Sequence, residues 1–123
     1  MINSALGRFG RIDILVNNAG VFDELLPAGE VSDEIWDRVI STNLTAPMRG
    51  IRAVIPVFEK QGGGVIVNTA SIAGFTGARG GGAAYVASKH GLIGLTKNVA
   101  LIIRTRISVV MRWHRAESRQ TCG

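Results

Sequence analysis

Two short stretches of the chain are dominated by apolar, mostly β-branched residues and end abruptly in small polar ones. Residues 12–16 run into an Asn-Asn-Ala-Gly sequence, and residues 65–69 run into a glycine-rich stretch. Neither stretch shows the regular polar alternation of a half-exposed strand, which favours a parallel sheet covered by helices. We therefore predict two buried strands, each of which stops at a turn.

Elsewhere the apolar positions recur every three or four residues, the spacing of an amphipathic helix. One such pattern begins after Ser32, a favourable N-cap followed by two acidic residues, and continues to about Lys60. Pro47 predicts a kink or a restart within this helix, and the glycines at 62–64 predict its end. A second helix is predicted over residues 83–100, where small side chains allow close packing.

The predicted elements therefore alternate between strand and helix, the order expected of an open parallel α/β sheet. A further apolar run at residues 107–111 is a candidate third strand. Glycine is frequent, with 16 residues, and its clusters mark loops.

Composition indicates one folded domain, because the 123 residues are 46% hydrophobic and 19% charged. The single cysteine, Cys122, excludes an internal disulfide and a CxxC zinc site. We identify no transmembrane segment and no signal peptide, so the expected location is cytoplasmic. The net charge of +5 arises mainly from residues 101–123, which hold five arginines and one glutamate, whereas residues 1–100 hold nine basic and eight acidic residues.

Four side chains are candidates for chemistry. Tyr85 and Lys89 lie four positions apart on one predicted helix face, and a lysine ammonium near a tyrosine hydroxyl favours the phenolate, a general acid/base. Ser71 follows the second strand at its carboxyl end, where open α/β sheets place ligands. Asn43 ends the helical segment of residues 35–42. Taken singly, they are also compatible with an exposed helical pair, a turn serine and a helix-end asparagine.

Taken jointly, four segments resemble the short-chain dehydrogenase/reductase superfamily, whose motifs occur in the same order. They are Asn-Asn-Ala-Gly at residues 17–20, Thr-Asn-Leu at 42–44, Thr-Ala-Ser-Ile-Ala-Gly at 69–74 and Tyr-Val-Ala-Ser-Lys-His-Gly at 85–91. The resemblance covers about residues 5–100. It implies an α/β fold that is part of a Rossmann-type, doubly wound parallel sheet with three α/β/α layers.

The resemblance also assigns roles to the four side chains. Tyr85 matches the catalytic acid/base that exchanges a proton with the substrate oxygen. Lys89 matches the residue that promotes the phenolate and hydrogen-bonds the nicotinamide ribose. Ser71 matches the residue that steadies the carbonyl or alcohol, and Asn43 matches the one that holds a water in a proton relay. The implied reaction is reversible hydride transfer between a nicotinamide and an alcohol or ketone carbon.

The implied cofactor is NAD or NADP, and the sequence does not decide between them. Asn18, Ala19 and Gly20 match the stretch that lines the adenosine-ribose side of this cofactor, and Tyr85 and Lys89 would also contact it. The implied substrate is a small-molecule alcohol or ketone. No metal site, membrane association or nucleic-acid partner is expected. Members of this family commonly form dimers or tetramers through the helices that match residues 35–60 and 83–100.

Two features depart from the family pattern. The glycine-rich TGxxxGxG turn that binds the pyrophosphate does not occur in this sequence. After residue 101 the pattern is lost, so we divide the chain into a catalytic half, residues 1–101, and a basic tail, residues 102–123, expected to be disordered or frameshifted. A smaller departure is the spacing from Ser71 to Tyr85, which is one residue longer than is common in the family.

Two other functions are compatible with the sequence. An inactive remnant of such an enzyme would retain only an oligomerisation surface. A nucleic-acid-binding protein could use the arginines of the tail, but no aromatic platform or recognised motif accompanies them. The substrate is not inferred, because the Pro-Gly segment of the family and the substrate loop that follows it have no counterpart in this sequence. Phe22, Phe75 and Arg79 could either approach a substrate or pack in ordinary loops.

Overall fold

The fold is that of a computed structural model of the chain. The model describes residues 2–18, 20, 23, 25–71, 82–102 and 107–114, without the side chains at positions 3, 70, 71, 113 and 114. Ala19, Phe22, Phe75, Arg79 and the rest of the glycine-rich loop lie outside these residues.

The described residues form three strands and four α-helices, with a π-helical segment between the second and third helices. In chain order they are α1 (Ile2–Phe9), β1 (Ile14–Asn17), α2 (Asp33–Ile40), the π-helical segment (Ser41–Thr45), α3 (Ala46–Gln61), β2 (Gly64–Ser71), α4 (Ala83–Ile102) and β3 (Ile107–His114). Both strands and both helices predicted from the apolar pattern are therefore confirmed, with bounds that shift by a few residues.

The three strands form one parallel sheet in the order β1-β2-β3. Leu15 of β1 lies beside Ile66 of β2, which in turn lies beside Val109 of β3. The candidate third strand is confirmed and is longer than its apolar run, because it continues to His114. Residues 107–114 of the basic tail thus form β3, whereas residues 103–106 and 115–123 lie outside the described part of the chain.

The long helical region begins and ends where the sequence predicts. The Ser32 hydroxyl accepts a hydrogen bond of 3.1 Å from the Ile35 N–H and so caps α2. At the other end Gly62 adopts a left-handed conformation with φ of 89°, which glycine tolerates and most residues do not. Local sequence chemistry is therefore sufficient to set both ends.

Between these ends the helix stays continuous, and one segment of it is π-helical. The Ala46 N–H bonds to the Ser41 carbonyl, five residues back, which is the π-helical spacing. Pro47 lies four residues after Asn43 and has no N–H to donate to the Asn43 carbonyl, so a regular α-helical ladder cannot pass this point. Asn43 thus lies inside a continuous helical region, buried, and not at a helix end as the sequence suggested.

The core lies between the sheet and two helices that cover one of its faces. Leu15 and Ile66 of the sheet pack with Val54 and Phe58 of α3 and with Val99 of α4. Each such side chain, once fully buried, contributes roughly 1.5–3 kcal/mol relative to exposure. This packing fixes α4 against β2 and so determines where the residues of α4 meet the carboxyl ends of the strands.

The opposite face of the sheet is largely bare in the described part of the chain. Ile14, Val16 and Val110 are 57%, 53% and 45% exposed. The described residues therefore supply two of the three layers that the resemblance implies. Within the same residues, none of the helices has both the length and the apolar character needed to cross a lipid bilayer.

Candidate active site

Tyr85 and Lys89 lie on the inner face of α4, in its first two turns. Both side chains are 6% exposed, which excludes the interpretation of an ordinary exposed helical pair. The Lys89 Nζ lies 5.7 Å from the centroid of the Tyr85 ring. The four-residue spacing thus brings a cation next to a phenol inside the protein, as the helical geometry requires.

Burial changes the chemistry of the lysine. Removal of water from around the ammonium lowers the pKa of Lys89 from its ordinary value of 10.5, because the charged form loses hydration. A buried ammonium of this kind is stabilised by any group that offers it negative charge or hydrogen-bond acceptors. A phenolate and the hydroxyls of a sugar are both groups of this type.

The π-helical segment directs Asn43 toward the same helix. The Asn43 Nδ2 donates a hydrogen bond of 3.2 Å to the Ser88 hydroxyl. That hydroxyl donates in turn to the Tyr85 carbonyl oxygen at 2.7 Å. Asn43 and Ser88 are both fully buried, so this chain of bonds fixes the side-chain amide against the turn of α4 that carries Tyr85 and Lys89.

Gly20 brings the end of the Asn-Asn-Ala-Gly motif to this pair. A Cβ at this position would lie 3.4 Å from the Lys89 Nζ and 3.5 Å from the Asn43 Oδ1. The lysine ammonium and the asparagine oxygen therefore converge on one point beside the backbone of Gly20. A side chain at position 20 would therefore contact both polar groups.

The first asparagine of the motif has a structural role. The Asn17 Nδ2 donates to the Asn68 Oδ1 at 2.8 Å, and the Asn68 Nδ2 donates to the Thr96 hydroxyl at 2.8 Å. This buried polar chain connects β1, β2 and α4. Asn18, by contrast, is exposed, and Ala19 lies outside the described residues.

Ser71 is the last residue of β2, so the structure places its backbone at the carboxyl edge of the sheet. Its side chain and residues 72–81 lie outside the described part, so its distance to Tyr85 and the extra residue of spacing stay untested. Thr69 lies two positions earlier on the same face of the strand. Its hydroxyl is buried and has no hydrogen-bond partner in the described part of the chain.

Sequence analysis missed one fully buried acid, Asp23. Its carboxylate accepts hydrogen bonds from the backbone N–H groups of Leu25 at 3.1 Å, Gly82 at 2.8 Å and Tyr85 at 2.9 Å. No local pattern marks this residue, because two of its three partners lie about sixty positions further along the chain. Ser88 was also missed, although it stands within the matched Tyr-Val-Ala-Ser-Lys segment.

Comparison with known proteins identifies the family to which this arrangement belongs. The family model described as short chain dehydrogenase matches residues 1–112. The chain belongs to the short-chain dehydrogenase family. The resemblance inferred from the four motifs is thus confirmed, and the match continues past residue 101 into the stretch that forms β3.

Two curated relatives are dehydrogenases by name. The chain is 48% identical over 103 residues to 3beta-hydroxysteroid dehydrogenase 2 of Eggerthella lenta, which covers 83% of this chain and 39% of that protein. It is 58% identical over 95 residues to the short chain dehydrogenase ausX of Aspergillus calidoustus, which covers 76% of this chain and 37% of that protein. The chain therefore spans about two fifths of the length of these relatives.

A solved structure shows the same fold. A crystal structure of a short chain dehydrogenase/reductase from Burkholderia phymatum in complex with NAD superimposes with a TM-score of 0.85 at 29% identity. The superposition covers 93% of this chain and 41% of the solved one. The expectation of a Rossmann-type parallel α/β sheet is thereby confirmed.

Proposed function

We propose that this short-chain dehydrogenase segment carries the catalytic residues of an NAD(P)-dependent oxidoreductase that interconverts an alcohol and a ketone. The observation that supports this most directly is the buried Tyr85–Lys89 pair, with Asn43 directed to the same turn. A phenol beside a buried ammonium is suited to exchanging a proton with a substrate oxygen at neutral pH.

Each side chain then has a defined task. Tyr85 donates its hydroxyl proton to the carbonyl oxygen during reduction and recovers it during oxidation. The ammonium of Lys89 stabilises the phenolate that Tyr85 becomes. Asn43, held by Ser88, orients a water beside Lys89 through which the proton is replaced. Ser71, at the carboxyl end of β2, is assigned to the carbonyl oxygen on the basis of the family motif.

The described residues fit a nicotinamide cofactor. The backbone of Gly20 lies beside the Lys89 Nζ and the Asn43 Oδ1, and the Thr69 hydroxyl is a buried polar atom without a hydrogen-bond partner among the described residues. When bound, the nicotinamide supplies or accepts the hydride, and the protein supplies position and the proton. Lys89 would hold the ribose hydroxyls, and residues 18–20 would line the adenosine side. The NAD complex of the Burkholderia phymatum relative supports a cofactor of this class.

The substrate class follows from the proton chemistry and from the relatives. An oxygen that takes a proton from Tyr85 as hydride arrives on carbon belongs to an alcohol or ketone. The Eggerthella lenta relative is a 3beta-hydroxysteroid dehydrogenase by name, which supports a secondary alcohol. We further propose that the protein associates into dimers or tetramers through the helices of residues 35–60 and 83–100, as the family resemblance implies.

The test uses a hybrid enzyme, in which the aligned part of this chain replaces the matching 103 residues of the Eggerthella lenta 3beta-hydroxysteroid dehydrogenase 2. Turnover is followed through the absorbance of the reduced nicotinamide with a 3β-hydroxysteroid as substrate. Tyr85→Phe is expected to lower kcat roughly 10²–10⁴-fold, the contribution typical of general acid–base catalysis. Cofactor affinity, measured by calorimetry, should change little, because the hydroxyl acts on the proton in transfer.

Retention of more than about a tenth of the turnover by the Tyr85→Phe hybrid would exclude Tyr85 as the acid/base. A hybrid that folds and binds cofactor but shows no turnover with any alcohol tested would instead favour the inactive remnant. Melting temperature serves as the folding control in both cases.

A further inference from the structure

The helix that carries Tyr85 begins without a capping side chain of its own. Gly82 occupies the N-cap position of α4, where serine, threonine or aspartate would ordinarily accept a hydrogen bond from the third helical residue. A side chain is sterically excluded there, since a Cβ on Gly82 would collide with the backbone of Leu26 and with the Asp23 carboxylate. The backbone N–H groups of the first turn must therefore be satisfied from elsewhere.

Asp23 supplies the missing cap from a distant part of the chain. One carboxylate oxygen accepts from the Gly82 N–H at 2.8 Å, and the other accepts from the Tyr85 N–H at 2.9 Å. The Leu26 carbonyl completes the set by accepting from the Ala83 N–H at 2.9 Å. Asp23 and Leu26 thus bind three N–H donors at the start of α4, those of Gly82, Ala83 and Tyr85.

The turn itself is held in a constrained conformation. The Leu25 N–H bonds back to the Asp23 carboxylate at 3.1 Å, and Leu25 has a positive φ of 61°, which is unusual for a leucine. Asp23 is fully buried, and its negative charge lies at the positive end of the α4 dipole. Both features favour one orientation of the carboxylate toward Tyr85.

We propose that Asp23 is a positioning residue for Tyr85. Its carboxylate fixes the first turn of α4, and with it the placement of the phenol beside Lys89. Asp23 also follows Gly20 closely in sequence, so it connects the segment that lies beside the Lys89 ammonium to the helix that carries the acid/base. This inference rests on the proposed function. Misplacement of a catalytic group by about 1 Å can cost on the order of 10²-fold in rate.

The sharpest variant is Asp23→Asn. An asparagine oxygen can still accept from the Leu25 and Gly82 N–H groups, which both bond to the same carboxylate oxygen in the native chain. The asparagine Nδ2 then faces the Tyr85 N–H, two donors that cannot bond to each other. The substitution therefore preserves the size of the side chain and most of the turn while it removes the bond to Tyr85.

Ser32→Ala is the matched control. Ser32 is exposed and caps α2 through a single bond of 3.1 Å to the Ile35 N–H. Both variants remove one cap bond from a helix start, so Ser32→Ala shows what the loss of a cap bond does when no bond to the Tyr85 backbone is removed. A positioning role predicts that only Asp23→Asn alters the tyrosine and the turnover.

Two measurements separate these outcomes. In the hybrid enzyme, Asp23→Asn should lower kcat about ten- to a hundredfold with KM changed less than about threefold, while Ser32→Ala leaves both unchanged. In the 123-residue chain Tyr85 is the only tyrosine, so a single ¹³Cζ-tyrosine NMR signal reports its surroundings without cofactor or substrate. That signal should move toward its denatured position in Asp23→Asn and stay in place in Ser32→Ala.

An unchanged kcat in an Asp23→Asn hybrid whose melting temperature falls like that of Ser32→Ala would overturn the proposal and leave Asp23 a simple cap. If the parent hybrid shows no turnover, the proposed function fails, and the tyrosine signal alone decides whether Asp23 positions Tyr85. If the isolated chain is unfolded, the hybrid kinetics decide.

Discussion

The positively charged side chain of Lys89 is almost fully buried. The surrounding core lowers its pKa below the ordinary value of 10.5. The unfolded chain therefore binds this proton more tightly than the folded one, and the charged lysine destabilises the fold at neutral pH. The native sequence retains it nonetheless, which indicates a residue kept for chemistry and not for stability.

Lys89→Met should separate the effect of Lys89 on catalysis from its effect on stability. We expect kcat of the hybrid enzyme to fall roughly 10²-fold, because the phenolate loses its cation. The melting temperature at pH 7 should rise, since an apolar side chain replaces a buried charge. As pH approaches 10.5 the native lysine loses its proton in both states, so the stability difference between the two proteins should shrink.

Lys97→Met provides the control, because Lys97 is exposed on the same helix. Its melting temperature and turnover should match those of the parent hybrid at every pH. A Lys89→Met protein that is less stable than the parent at pH 7 would contradict the argument from desolvation.

The pairing of Tyr85 with Lys89 could be predicted because it depends only on helical periodicity. The contacts of Asp23 and Ser88 could not, since they form between segments that meet only in the folded chain. Asp23 bonds to residues 59 and 62 positions away, and Asn43 reaches Ser88 across 45 positions. The local sequence pattern thus identified Tyr85 and Lys89, whereas only the tertiary structure identified Asp23 and Ser88, whose hydrogen bonds fix the surrounding turn.

At the level of elements, the π-helical segment is the feature that the sequence indicated only in part. Pro47 predicted an irregularity, yet the helix was expected to kink or restart there. In the structure, a π-helical turn over Ser41–Thr45 accommodates Pro47, which has no backbone N–H, and the helix stays continuous. The wider turn directs the Asn43 side chain toward α4. In a regular α-helix the same side chain would point in a different direction.

Pro47→Ala tests the link between this turn and the site. The substitution restores an N–H four residues after Asn43, which lets a regular α-helical ladder form and rotates Asn43 away from Ser88. Turnover of the hybrid should fall at least about tenfold without loss of helix content by circular dichroism.

Pro56→Ala is the matched control, because Pro56 lies in the interior of α3 and is exposed. It should raise the melting temperature, as proline costs up to about 3 kcal/mol inside a helix, and leave turnover unchanged. Equal turnover in the Pro47→Ala and parent hybrids would show that the π-helical turn does not place Asn43.

At the scale of the molecule, the most consequential feature is the face of the sheet that the described residues leave uncovered. Ile14 and Val16 point to that face and are more than half exposed, whereas Leu15 between them is buried against α3. The sequence pattern predicted strands apolar on both sides, which holds for β1. A single sequence could not show that all the helices packed on the described sheet lie on one side, because chain order does not fix the side.

The double variant Ile14→Thr, Val16→Thr should make the isolated 123-residue chain less prone to association, since threonine keeps the strand propensity and removes apolar surface. Sedimentation velocity should show a larger monomer fraction, and binding of an apolar dye should fall. In the hybrid enzyme, where more of the fold is present, the same changes should lower the melting temperature. Leu101→Thr, at an exposed site on α4, is the control.

If the double variant associates as strongly as the parent chain, the exposed sheet face is not the surface through which the isolated chain associates. A hybrid whose melting temperature is insensitive to both threonines would show that this face stays open even in the longer protein.

The cap formed by Asp23 also orders the events of folding. Most of α4 can form from contacts within a few residues, but its first turn must wait until a loop of about sixty residues has closed, which entropy makes slow. The bonds of Asp23 should therefore be absent from the folding transition state and form on its native side. Substitutions at this position would accelerate unfolding and leave the folding rate almost unchanged, so the tyrosine is placed only in a chain that has already completed its fold.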